Sequence, residues 1–187
     1  MKKKTGWAIL NPLLVAIIVV IAFLSVFHIE YKEYNRGAVY LGYFLTPATV
    51  CLAIPLYKQL ELLRQHLIAV ASAIVAGVAG SVGSIYVMCR FFQLEHTHYV
   101  TLLPKSITTA IGMGVSEEAG GIVTLTVISI IITGILGNII ADWLFQIFKI
   151  EEPIAKGLAL GTAAHAIGTA KALELGEIEG AMSSLSI

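Results

Sequence analysis

The chain has 187 residues, of which 57% are hydrophobic and 13% charged, against roughly 25% charged in an ordinary soluble domain. Mean hydropathy is positive. Twelve basic residues balance twelve acidic ones, so the composition describes a polytopic membrane protein and leaves no basic surface for nucleic acid.

Met1-Lys-Lys-Lys4 precedes an apolar run at 8–27 with Trp7 at its edge. That run exceeds the ~7–15 residue core of a signal peptide and lacks a small-residue cleavage site, so it reads as a retained first span. Residues 28–36 form a polar connection, with Tyr31, Tyr34 and Tyr40 as interfacial aromatics. A second uncharged run at 38–57 contains Thr46-Pro47 and Ile54-Pro55, which predict a kinked or broken helix because each proline removes a backbone donor.

After the charged loop at 58–65, a third span is expected at 66–89. It carries Ala69, Ala73, Gly77, Ser81 and Ser72, Ala76, Gly80, Ser84 at four-residue spacing. Such stripes let neighbouring helices approach closely, so this face is expected to pack rather than to perform chemistry. Cys51 and Cys89 lie in apolar runs without metal-ligand spacing and read as small buried hydrophobes. His96 and His98 are expected in a solvated turn, not at a metal. No cofactor is implied.

Residues 99–121 break at Pro104, leaving Lys105, Ser106, Thr108 and Thr109 around the N-terminus of a half-helix, where unpaired N–H groups suit an anion. A clean span at 122–141 follows, then an interfacial helix end at 142–149 and the punctuation Glu151-Glu-Pro153. The chain closes on a small-residue motif at 157–174 carrying His165, Thr169, Lys171 and Glu174, and a short apolar stretch at 181–187. Polar groups in so apolar a setting are candidates for function.

The second motif echoes the first at an offset of 56 residues. Ala110-Ile111-Gly112 aligns with Ala166-Ile167-Gly168, Glu118 with Glu174 and Gly120 with Gly176, five identities in thirteen. Two copies of a glycine-interrupted polar motif are a common way to build a midplane transport site. With the N-terminus, Lys58 and Arg64 inside, the distribution of positive charge makes 100–121 re-entrant and brings the two motifs to the midplane from opposite faces.

These residues predict a cradle for a small carboxylate. Lys105 and Lys171 supply charge, Ser106, Thr108, Thr109 and Thr169 supply directed donors, a break near Gly168 brings the groups together, and His165 titrates with a co-transported proton. Pro47, Pro104, Glu118 and Glu174 are assigned structural or coupling roles. The competing reading makes Lys171 and Glu174 an ordinary ion pair and lets Lys105 extend to the headgroups. No sequence motif for a catalytic serine, a zinc protease or a phosphate loop occurs, so an enzyme is not expected.

Leu103-Pro-Lys-Ser-Ile-Thr-Thr109, Gly134-Ile-Leu-Gly137, the run from Pro153 to Glu174 and Glu179-Gly-Ala-Met-Ser-Ser184 closely resemble the LrgB/CidB family of bacterial membrane proteins. So do Glu33-Tyr-Asn-Arg-Gly37 and Pro47-Ala-Thr49. The resemblance implies a multi-pass, all-α protein of the bacterial inner membrane, a homo-oligomer acting beside a small LrgA/CidA-like partner. It also implies two functions of different kinds: transport of small monocarboxylates such as pyruvate, glycolate or glycerate, and antiholin-like control of murein hydrolase activity and autolysis. Transport ranks first as the molecular activity, since a pure pore regulator needs no buried lysines. Residues 1–187 are expected to form a single transmembrane domain that lacks a family N-terminal span and the last C-terminal span. An Ala110 where the family pattern leads one to expect proline weakens the first break.

Overall fold

The structure, a computed structural model, describes residues 12–44, 47 and 50–187, with side chains from residue 15. Every regular element among them is a helix, and none is a strand. In chain order these are α1 (Pro12–Val26), α2 (Tyr31–Gly42), α3 (Ala53–Lys58), α4 (Leu60–Gln65), α5 (Leu67–Phe91), α6 (His96–Leu102), α7 (Thr109–Glu118), α8 (Val123–Ile147), α9 (Pro153–Leu175) and α10 (Glu177–Ser186). The chain divides into two compact units, 1–54 and 55–187.

In the first unit, α1 is apolar on every side, and Ile18, Val19, Ile21, Phe23 and Val26 are exposed. A helix without a polar face has no side to offer water, which suits lipid. Residues 8–11 of the expected first span lie outside the described residues. The 38–57 run is broken, as expected of it: α2 stops at Gly42 and α3 begins at Ala53. Thr46 lies outside the described residues, while Pro47 is helical and exposed.

In the second unit α5 and α8 are each 25 residues long and apolar enough to cross a membrane. At 1.5 Å per residue each reaches ~37 Å, more than the ~30 Å of bilayer hydrocarbon. On α8 the outward row Leu125, Ile128, Ile132, Leu136 and Ile140 is exposed. This row recurs every three or four residues, so one whole helix face is left for an apolar solvent. The helix runs past the expected boundary at 141, to Ile147.

Among the described residues four helices end in the same way. The residue after the C-cap turns into the left-handed region at His28, Gln93, Gly120 and Lys149, with φ of 51°, 53°, 76° and 52°. The following amide then reaches back to a carbonyl of the last turn: Leu94 to Cys89 (2.9 Å), Gly121 to Ser116 (2.7 Å), Ile150 to Phe145 (2.9 Å) and Ile29 to Leu24 (3.0 Å). These Schellman closures satisfy carbonyls that a helix end would otherwise leave bare.

The core of the second unit lies where α9 meets α10 and α5. Val70, Leu158, Ala181 and Met182 are fully buried together there. Close approach depends on absent side chains. A Cβ at Gly157 would lie 2.5 Å from the Glu179 carbonyl and 2.8 Å from Met182 Cβ, whereas a Cβ at Gly83 meets nothing within 4 Å. His96 and His98 open α6 instead of standing in a turn, and His98 Nδ1 is buried without a hydrogen-bond partner.

Gly157→Ala should therefore destabilise the protein by about 1–3 kcal/mol, because the backbone carbonyl it meets cannot turn aside as a side chain would. Gly83→Ala should cost nothing; thermal unfolding of the two variants in one detergent provides the comparison.

Candidate functional site

Pro104 ends α6, and residues 103–108 turn before α7 begins at Thr109. Buried hydroxyls position this turn. Thr126 Oγ1 of α8 donates to the Thr101 carbonyl at 2.9 Å and lies 2.7 Å from Ser116 Oγ, while the Ile122 amide donates to Thr101 Oγ1 at 2.8 Å. One short network thus ties the end of α6, the body of α7 and the start of α8, leaving the intervening turn little freedom.

From that turn Lys105 Nζ donates to Ser106 Oγ at 3.1 Å, and Ser106 Oγ lies 3.2 Å from Ser81 Oγ on α5. The three side chains sit on the wall of a cavity of about 470 Å³. Its other walls are mostly short: Ala73, Gly77, Gly80 and Ser84 from α5, and Ala155, Leu158, Ala159, Thr162 and Ala163 from α9. α5 and α9 meet closely here: a Cβ on Gly77 would stand 3.0 Å from Thr162. The small-residue face of α5, expected only to pack, thus also lines the cavity. Lys105 is half-buried and pairs with no carboxylate among the described residues.

The other break is in α9. His165 has φ 43° and ψ −139°, an arrangement costing a non-glycine residue about 1–3 kcal/mol, so the helix is two rods, 153–164 and 166–175. The break falls three residues before Gly168, where it was expected. Two glycines of α8 receive it. A Cβ at Gly134 would lie 2.8 Å from His165 Cε1 and Nε2, and one at Gly137 would lie 2.6 Å from Ala164 Cβ. His165 Nε2 stands 3.0 Å from the Ile130 carbonyl. A carbonyl only accepts, so Nε2 carries the hydrogen. Asn138 Nδ2 donates to the Ile167 carbonyl at 3.1 Å, tying α8 to the second rod.

Beyond the break, Thr169 Oγ1 is buried between the His165 carbonyl (3.1 Å) and Ser183 Oγ of α10 (2.8 Å). Gly168 is packed onto the Leu160 carbonyl. Lys171 Nζ bonds Asp142 Oδ2 of α8 at 2.6 Å, the one ion pair among the described residues. The alternative partner, Glu174, is exposed and does not pair with it.

The eight candidate binding residues therefore do not form one cradle in this conformation. Lys105 and Ser106 line the cavity. Thr108 caps α7 without a side-chain bond, and Thr109 opens it, both half-buried and off the cavity wall. His165, Gly168, Thr169 and Lys171 are buried in the α9 joint and its contacts. Of the residues given structural roles, Pro104 is buried at the turn, and Glu118 and Glu174 are exposed. Sequence reasoning gave no site role to Ser81, Ser84, Thr162, Asn138 or Asp142. Ser81 and Ser84 read from sequence as packing residues and Asp142 as part of a helix end; the fold puts the two serines on the cavity wall and Asp142 beside Lys171.

The LrgB-like family matches residues 1–187. The antiholin-like protein LrgB of Bacillus mycoides (strain KBAB4) is 39% identical over 186 residues, covering 100% of this chain and 81% of the relative. The proteins of the same name from Bacillus cereus (strain B4264) and Bacillus anthracis (strain CDC 684 / NRRL 3495) are each 38% identical over the same shares. No solved structure matches the chain. With a family match along its whole length and relatives approaching 40% identity, the chain belongs to the LrgB-like family.

Proposed function

We propose that this protein carries small monocarboxylates of the pyruvate, glycolate and glycerate type across the bacterial inner membrane as a multi-pass protein. The carrying observation is Lys105: a half-buried ammonium without an acidic partner among the described residues, hydrogen-bonded to Ser106 and facing a 470 Å³ cavity walled mostly by glycine, alanine and serine with Leu158 and Thr162. An ammonium withdrawn from water needs an anion or an aqueous pocket. The cavity holds a three-carbon acid with several waters, at about 30 Å³ of liquid volume per water. Lys105 neutralises the carboxylate, Ser106 and Ser81 orient it, and Thr162 and Ser84 are within the same cavity for an oxo or hydroxyl substituent.

Two half-helix motifs related by an internal repeat, approaching the midplane from opposite faces, fit this role. In support, α7 has ten residues, ~15 Å at 1.5 Å per residue, which is half a bilayer core. At the 56-residue offset, Thr109 at the start of α7 corresponds to His165 at the break of α9, and Gly120 and Gly176 follow the two rods.

The name antiholin-like, printed for the relatives, favours a second reading: control of murein hydrolase activity and autolysis through a partner membrane pore, without transport by this chain. We place that control downstream of carboxylate movement, with an LrgA/CidA-like protein and further copies of this chain as the assembly partners.

Purified full-length protein in liposomes should show saturable uptake of labelled pyruvate or glycolate. Lys105→Ala should lower kcat/KM by about 10–100-fold, the equivalent of a charged hydrogen bond of ~1.5–3 kcal/mol. An inert protein that still restores normal autolysis to a deletion strain would replace transport by pore regulation.

A Cβ at Gly80 meets nothing within 4 Å, so Gly80→Leu should fold normally while its side chain occupies the cavity. Uptake should fall in that variant with an unchanged melting temperature; unimpaired uptake would move the site elsewhere.

A further inference from the structure

The Lys171–Asp142 pair is unequal. The Lys171 side chain is 6% exposed, and Asp142 is 48% exposed, at a contact of 2.6 Å. Asp142 can regain hydration by turning into water, whereas Lys171 is buried and has no second carboxylate in reach among the described residues. A buried ammonium left without its counter-ion is strongly destabilising, so the pair separates readily only if another anion replaces the carboxylate.

A route for such an anion adjoins the pair. Asp142 lines a cavity of about 390 Å³ between the end of α8 and α9, together with Gln146, Lys149, Glu151 and Lys156. Once Lys171 has neutralised Asp142, the remaining charged lining is two ammonium groups against one carboxylate. That balance attracts anions. Lys171 also belongs to the rod 166–175, which the His165 bend separates mechanically from the first half of α9.

We propose that Lys171 is a second carboxylate-binding station, at which Asp142 stands in for the ligand in the described conformation and a small carboxylate entering through the α8–α9 cavity takes its place. The inference extends the carboxylate reading above to another part of the second unit. Asp142 acts as a built-in competitor: it keeps the ammonium compensated when the station is empty, and its return to Lys171 expels the bound acid. The class of ligand follows from the group displaced, a carboxylate making a charge-assisted hydrogen bond to an ammonium.

The test is chemical rescue of Asp142→Ala in the full chain, reconstituted in lipid nanodiscs and followed by thermal unfolding. In chloride buffer its melting temperature should fall several degrees below the unsubstituted protein. Acetate or pyruvate should restore it, with a recovery that grows with the logarithm of their concentration. Acetamide, or chloride at matched ionic strength, should not. Adding Lys171→Met to the same chain should remove both the loss and the carboxylate dependence. Asp142→Asn, which keeps the shape of the side chain, carries the same expectation if the alanine variant does not fold in either buffer.

An Asp142 variant indifferent to acetate and pyruvate, equal rescue by acetamide or chloride, or a carboxylate effect that survives Lys171→Met would each overturn the proposal. Because melting is read without any flux, rescue in a protein that moves no pyruvate would sink transport and keep the station. Uptake by the unsubstituted protein together with an unrescued Asp142 variant would do the reverse.

Discussion

A single histidine bends α9, and much of the second unit depends on that bend. His165 adopts a backbone conformation that disfavours side chains, yet its ring is anchored on the Ile130 carbonyl and housed against Gly134. The conformational cost is about 1–3 kcal/mol and persists only where surroundings over-determine the geometry. Here they do. Gly137 admits Ala164, Asn138 covers the Ile167 carbonyl, and Thr169 spans from the His165 carbonyl to Ser183. Gly134-Ile-Leu-Gly137 is thus a notch on α8 shaped for the bend in α9.

In a bilayer this economy has a clear cause. Hydrocarbon offers no hydrogen bonds, so each backbone group released by a helix break must find a partner within the protein. The same requirement explains the hydroxyl network of Thr101, Ser116 and Thr126 beneath the 103–108 turn. It also explains the four Schellman closures at helix ends, three of them formed by residues other than glycine. Polar side chains that look out of place in an apolar sequence are in most cases repairing the main chain.

The two lysines in question differ on this point. Lys171 is compensated by Asp142 and completes the docking of the rod 166–175 on α8. Among the described residues the Lys105 ammonium has a single hydrogen-bond partner, the Ser106 hydroxyl, and an open cavity before it. What separates the two is the counter-ion, in place at Lys171 and absent at Lys105 among the described residues. For that reason the two are given different parts in the carboxylate reading, one at the principal cavity and one at a station whose internal carboxylate must first withdraw.

The sequence by itself determined the helical class, the two long apolar spans and the positions of the breaks to within a few residues. Proline at 104, glycine spacing and uncharged runs act locally, through donor loss, steric freedom and transfer to an apolar solvent, and local rules can be read from a string. Membership of the family was equally legible in Pro153 to Glu174 and Gly134-Ile-Leu-Gly137. What only the tertiary structure decided was partnership. Lys171 chose Asp142, 29 residues away on another helix, over Glu174 three residues along its own. Ser81 turned from a packing residue into a cavity wall because α5 faces the 103–108 turn. The break moved to His165 because the Gly134 notch lies opposite it, not opposite Gly168. Such choices depend on which helix faces meet in space, and helical periodicity fixes a face without naming its neighbour.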